Sequence, residues 1–288
     1  MPVTFGELST LTTPLSVVRL CALLFSCLTF SLASYSPQGN ESSSVIRTTF
    51  NSFCKVTWCL FFVLTFLVMV IHFIQFHNLL PLSWKNLTAT IAALGALMTF
   101  FASFAFTWTL VNHQSGTSYP KSIAAAVGSY LTSLAYSEEL HLIRSQSNGQ
   151  QRGYMATVPG LLKVLQVFGG CVALLLLLII EPNHQWRIYV SAVTYSMCLL
   201  PTVGTVLVMV MDCAARSPVP FDRLLASFSL LGVIMYTVNT VICFTQALEQ
   251  SKSNQDVVIV SETVIACITL LAYTVDLAFS VKLLCDRN

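Results

Sequence analysis

The chain has 288 residues, 55% of them hydrophobic and only 9% charged, with a formal net charge of +2. Soluble domains carry about 25% charged residues, so a water-facing surface cannot be built from this sequence. The charges fall between long apolar stretches, the pattern of a bilayer-spanning protein, and a net charge this small marks no nucleic-acid surface.

A spanning helix takes about 20 mostly apolar residues. Eight stretches meet that length in chain order: 15–35, 56–76, 88–111, 122–143, 160–180, 188–211, 222–247 and 257–284. Backbone amides in lipid must be satisfied within the segment, which predicts helices rather than open strands. The first stretch imitates a signal peptide, with Arg19 ahead of an apolar core. However, some eighteen residues precede Arg19, and removing the helix would break the repeat described below. The fourth stretch is the most polar, interrupted by Ser, Thr and Tyr and ending at Glu138 and Glu139.

The ten cysteines form no secreted disulfide framework. Cys21, Cys27, Cys171, Cys198, Cys243 and Cys267 lie within apolar runs, where a thiol packs as a small apolar group. Cys54, Cys59, His72 and His77 imitate zinc-finger spacing, yet the residues between Cys59 and His72 are one apolar run. As a helix that run holds them roughly 20 Å apart, too far for one ion, so no metal or other cofactor site is expected. Cys285 imitates a prenylation box, but Asp286 and Arg287 are not aliphatic, and the Met-Pro start lacks the glycine of a myristoylation signal. Cys213 and Cys285, at helix ends on the expected cytosolic side, are candidate S-palmitoylation sites; an unmodified thiol is the simpler alternative.

Orientation follows from Lys and Arg placement. With eight crossings, both termini share a side with connections 2–3, 4–5 and 6–7. That side holds Arg19, Lys85, Arg144, Arg152, Lys163, Arg216, Arg223, Lys282 and Arg287, against Arg47, Lys55, Lys121, Arg187 and Lys252 on the other. Nine against five predicts cytosolic termini. The sequon Asn40-Glu41-Ser42 then falls on the non-cytosolic side, which makes Asn40 a glycosylation candidate. The sequon at Asn86 falls on the cytosolic side and should stay bare.

The halves repeat each other. Arg19 stands eight residues before Cys27, as Lys163 stands eight before Cys171, an offset of 144. Thr65-Phe66-Leu67-Val68-Met69-Val70 resembles Thr205-Val206-Leu207-Val208-Met209-Val210, an offset of 140. Trp84, Gly95 and Met98 match Phe221, Gly232 and Met235 at an offset of 137. That offset continues through Leu134-Ala135-Tyr136-Ser137-Glu138-Glu139-Leu140 and Leu271-Ala272-Tyr273-Thr274-Val275-Asp276-Leu277. Four matches in order predict two four-helix units, 13–143 and 158–285, joined by a cytosolic linker at 144–157. An even number of helices per unit gives both the same orientation, a parallel repeat.

The segment Gly153-Tyr154-Met155-Ala156-Thr157-Val158-Pro159-Gly160-Leu161-Leu162-Lys163 resembles the start of the second unit in the myeloid-associated differentiation marker family. Pro81-Leu82-Ser83-Trp84-Lys85-Asn86 is similar to the segment before that family's third helix, and the resemblance covers nearly the whole chain. It implies an all-α membrane protein of eight transmembrane helices arranged as tandem MARVEL domains. MARVEL proteins, which the chain resembles, are multi-pass organisers associated with sterol-rich membrane, vesicle traffic and cell contacts. Roles in adhesion, spreading or small-GTPase placement are implied on the same footing. The expected partners are membrane lipids and other membrane proteins, as homo- or hetero-oligomers, at the plasma membrane or on vesicles.

A charge at mid-helix costs roughly 2.5–3.5 kcal/mol to insert, so charges in spanning helices need partners or a task. Arg19 and Lys163 lie in the first turns of helices one and five, Glu139 and Asp276 in the last turns of four and eight. First and last helices of an up-down unit are neighbours, which predicts the pairs Arg19–Glu139 and Lys163–Asp276. The alternative makes Glu139 and Asp276 ion sites of a parallel-repeat carrier or channel. Glu139, about sixteen residues and roughly 24 Å along its helix, is close to the interface rather than mid-membrane. Pro201 and Gly204 in helix six have no counterpart in helix two and read as an ordinary kink. Ala124 with Gly128 and Ala92 with Ala96 give small faces for close helix packing. His72 and Gln75 read as interfacial, and Glu262 has neither repeat counterpart nor evident partner. No nucleophile–base pair or phosphate-cradling loop stands out, so a non-catalytic role is expected.

Overall fold

The computed structural model describes residues 13–34, 45–74, 82–111, 119–146, 153–179, 185–211, 221–249 and 256–286. Among these the chain forms α1 (Pro14–Ser34), α2 (Val45–Phe73), α3 (Trp84–Phe106), α4 (Tyr119–Gln146), α5 (Val158–Leu177), α6 (Gln185–Val210), α7 (Phe221–Glu249) and α8 (Asp256–Asp286). A π-helical turn, Thr107–Val111, extends α3, and a 3-10 turn, Tyr154–Ala156, precedes α5. No strand occurs among the described residues.

Seven of the eight helices are long and apolar enough to cross a membrane by length and composition: all but α4. At 28 residues α4 has ample length, about 42 Å at 1.5 Å per residue. Its shortfall is in apolar content, and the reason is visible in its inner face, where Ser122, Ser129, Thr132, Ser133 and Glu139 are all buried. These polar residues serve contacts inside the protein, so a hydropathy reading understates the helix.

The α2 helix begins eleven residues before the apolar stretch that starts at 56. Arg47, Thr48, Asn51 and Lys55 hide its beginning in the sequence, yet Phe50 and Cys54 are buried and continue the Trp58–Phe61 stripe at helical spacing. The α6 helix runs unbroken through Pro201. Gly128 of α4 lies against Thr29 of α1, so the small-residue face there serves packing within one unit.

The helices gather into two compact units, Met1–Ala156 and Thr157–Asn288. In the first, α1 packs along α2 and α4, and α3 packs along the same two helices. In the second, α5 packs along α6 and α8, and α7 packs along the same two. The boundary lies after the 3-10 turn because that turn docks on α3. Met155 is fully buried and its N–H donates to Asn86 Oδ1 at 3.1 Å. Gly153 permits the approach, since a Cβ there would lie 2.6 Å from Asn86 Oδ1. Residues 153–156, within the expected linker, thus pack with the first unit, Met155 and Ala156 in its interior.

Polarity inside each unit is inverted relative to a soluble protein. Exposed positions include Leu24, Phe66, Phe100, Leu134, Leu200, Val241 and Leu271. Buried ones include Ser26, Thr29, Thr65, Thr99, Ser103, Ser129, Thr202, Ser229 and Asn239. Hydroxyls along α3 donate back to the carbonyl one turn earlier: Thr99 to Gly95, Ser103 to Thr99 and Thr107 to Ser103. Back-bonding lets polar side chains sit in an apolar interior without an unsatisfied donor. Ser103 then meets Ser129 of α4 at 2.6 Å, and Trp58 of α2 donates its indole N–H to Ser129 at 2.9 Å. Apolar groups outside and polar groups mostly hydrogen-bonded inside suit a bilayer, although Thr29 Oγ1 and Thr240 Oγ1 are buried without a partner among the described residues.

Candidate functional site

Among the described residues, each unit carries one buried ion pair between its first and last helices. Arg19 Nε donates to Glu139 Oε1 at 2.6 Å, joining α1 to α4. Lys163 Nζ lies 2.6 Å from Asp276 Oδ2, joining α5 to α8. All four side chains are at most 4% exposed. Charges so enclosed keep their full desolvation cost, and only close pairing with further hydrogen bonds offsets it.

The second pair has more such support on one carboxylate oxygen, while Asp276 Oδ1 is buried without a hydrogen bond among the described residues. Asp276 Oδ2 also accepts Ser229 Oγ at 2.5 Å and Gln166 Nε2 at 3.1 Å, and Lys163 Nζ donates to Ser229 Oγ at 3.2 Å. Lysine presents a compact point charge where arginine presents a planar fork, and helpers from α5 and α7 gather around the smaller group. Gln166 occupies the place that Ala22 holds in the first unit at the 144 offset, and Ser229 the place of Ala92 at the 137 offset.

One turn before each carboxylate stands a tyrosine. Tyr136 OH donates to Phe61 O at 3.0 Å and shares a 2.7 Å hydrogen bond with Thr65 Oγ1. Tyr273 OH donates to Cys198 O at 3.2 Å and shares a 2.8 Å bond with Thr202 Oγ1. The phenols therefore reach α2 and α6, while the acids reach α1 and α5. Gly95 and Gly232 of the third helices give the rings their path. A Cβ at Gly95 would lie 3.2 Å from Phe61 and Tyr136, and one at Gly232 would collide with the Tyr273 ring.

These contacts fix the register of the repeat. Phe61, Thr65 and Tyr136 correspond to Cys198, Thr202 and Tyr273, all at an offset of 137. The Thr65–Thr205 alignment is therefore corrected by three residues: Thr202 holds the Tyr273 hydroxyl, and Thr205 donates to Thr202 O. A shift of three residues keeps nearly the same helix face, so apolar letters alone do not distinguish the two registers.

Of the other candidate residues, Cys285 is exposed near the end of α8. Asn40, Cys213 and His77 lie outside the described residues. Asn86 is buried with its amide oxygen engaged, a position with no room for a glycan. Cys54 is buried and donates to Ala102 O at 3.4 Å, whereas Cys59 is exposed; among the described residues no group of three or more His, Cys, Asp or Glu could hold a metal.

The human myeloid-associated differentiation marker is 31% identical to the chain, over 84% of the chain and 73% of the human protein. The chain belongs to the myeloid-associated differentiation marker family. A mouse myeloid-associated differentiation marker-like protein 2 is 32% identical over 96% of the chain and 94% of its own length. The Xenopus laevis homolog is 29% identical over 97% and 95%. No family model and no solved structure matches. These relatives are named as differentiation markers, not as enzymes. With seven apolar helices of spanning length, this member of the family is a multi-pass integral membrane protein.

Two sets of contacts in this family member's interior were not readable from the sequence. Tyr136 and Tyr273 stand in the matched repeat segments, but only their reach to the second helices reveals the clamp. Glu262, without an evident partner in the sequence, accepts the Tyr195 hydroxyl at 2.9 Å.

Proposed function

We propose that this family member crosses the membrane eight times as two MARVEL-like four-helix units of the same orientation, with both termini cytosolic. In this reading it is a non-catalytic organiser of ordered, sterol-rich membrane, at the plasma membrane or on vesicles. The observation that carries the reading is where the polar groups go. The two ion pairs and the Tyr136 and Tyr273 phenols are engaged inside the units, and much of the outer surface is Leu, Val and Phe, suited to lipid and to other membrane proteins.

Lipids are the primary partners in this account, and the exposed apolar faces also suit homo- or hetero-oligomeric contact.

The carrier reading assigns Glu139 and Asp276 to ion movement. Engagement of each carboxylate by a buried cation supports a structural use instead. The discriminating experiment reconstitutes the full chain into phase-separating giant vesicles of saturated lipid, unsaturated lipid and sterol. Enrichment in the ordered phase, lost on sterol removal, is the expected result. Even partitioning would contradict the organiser reading, and ion flux abolished by Glu139→Gln and Asp276→Asn would favour the carrier.

A further inference from the structure

The second unit contains a second buried acid, far from its ion pair. Glu262 of α8 is 1% exposed and lies fourteen residues before Asp276, about 21 Å along the helix. Its surroundings form a directed chain across three helices. Ser191 Oγ donates to Asn239 Oδ1 at 2.8 Å, Asn239 Nδ2 donates to Tyr195 OH at 2.8 Å, and Tyr195 OH donates to Glu262 Oε1 at 2.9 Å. Ser191, Asn239 and Tyr195 are themselves buried.

No cation within ion-pair distance balances Glu262 among the described residues. The titratable groups facing it are Tyr195 from α6 and Cys243 from α7. On α5, which also packs along α8, the only charge is Lys163, and that is committed to Asp276. Arg187, one turn before Ser191 on α6, lies 5.4 Å over the Trp186 ring. An ionised carboxylate enclosed this way, with neutral donors alone, is the arrangement proteins avoid.

The acid form fits the same geometry. Tyr195 supplies a donor to one oxygen, and Cys243 lies beside the carboxyl with its sulfur already receiving the Asn239 N–H at 3.6 Å. A thiol there can donate to a carboxylate or its sulfur can receive a carboxyl O–H, so it is the missing cation, not this contact, that favours the acid form. The fold itself does not need this chemistry. At the 137 offset the first unit places Ala125, fully buried, where the second places Glu262, and Phe106 where the second places Cys243.

We infer that Glu262 is a proton-binding site, a neutral carboxylic acid held between α6, α7 and α8 by Tyr195, Asn239 and Cys243. Its ligand is a hydron and not a metal ion. The loaded acid ties three helices of the second unit together at the end opposite Lys163 and Asp276, and no counterpart exists at Ala125. This inference does not depend on the organiser reading.

The test is infrared difference spectroscopy on the full chain in lipid vesicles at neutral pH. Wild type minus Glu262→Gln should show a carboxylic acid C=O stretch and no carboxylate band pair. Tyr195→Phe, which keeps the acid and removes its donor, should shift that stretch to higher frequency; this second variant answers the question even where the first folds poorly. A carboxylate pair in place of the acid band would overturn the inference. So would an acid band lost on adding sodium or calcium ions at constant pH, or one unmoved by Tyr195→Phe.

Discussion

Tyr136 and Glu139 lie one turn apart on α4 and anchor to different helices, the phenol to Thr65 of α2 and the acid to Arg19 of α1. Tyr273 and Asp276 do the same from α8, to Thr202 of α6 and Lys163 of α5. With this pair of anchors the last helix of each unit fixes both the closure of the four helices and their relative rotation. Helix packing in lipid lacks the hydrophobic drive available in water, so polar contacts of this kind and close packing set the arrangement.

Breaking one ion pair should cost far more than replacing it. Glu139→Ala leaves Arg19 buried without a counter-charge, an expected loss of about 3–5 kcal/mol. Arg19→Met combined with Glu139→Leu removes both charges and should recover most of that loss. Thermal unfolding of the purified variants in detergent checks the ordering; a double variant as unstable as the single would contradict it.

The tyrosine clamps contribute less per group. Tyr136→Phe removes the hydroxyl from Phe61 O and Thr65, and Tyr273→Phe removes it from Cys198 O and Thr202. Each should lower stability by about 1–2 kcal/mol, measured by the same unfolding transition.

The paired glycines should respond unequally. Gly95→Ala brings a methyl to 3.2 Å from Phe61 and Tyr136, a contact relieved by small shifts. Gly232→Ala drives it into the Tyr273 ring, so overpacking of about 1–3 kcal/mol is expected there, and less at Gly95. Expression level and melting temperature of the two variants, side by side, test the order.

Much of this was legible in the sequence, for identifiable reasons. The eight helices declare themselves as stretches of about 20 residues, α4 least clearly because its buried face is polar. The four ion-pair residues were visible as a repeated sign pattern, since charges are rare enough in such a chain to be noticed. The start of α2 was hidden because Arg47 and Lys55 share the helix with Phe50 and Cys54, and only the buried stripe shows continuity. The tyrosine clamp and the Glu262 chain were illegible because each joins residues more than forty positions apart through neutral side chains. Neutral hydrogen bonds leave no charge signature.

Asn86 should behave as a structural residue and not as a glycan acceptor. Asn86→Ala leaves the buried Met155 N–H without its partner, at a cost of about 1–3 kcal/mol. Glycosidase treatment should change the electrophoretic mobility of the variant and of wild type equally. A glycan shift present in wild type and lost in Asn86→Ala would contradict the buried placement.

The central claim is that α4 and α8 both cross the membrane, so that each unit returns the chain to the side on which it began. The direct measurement places an epitope tag in the connection at 147–152 and others at the two termini, and probes intact and permeabilised cells with impermeant antibody. The account predicts that all three tags are reached only after permeabilisation. A tag at 147–152 that is reached in intact cells, while the amino terminus is not, would give the first unit an odd number of crossings and contradict it.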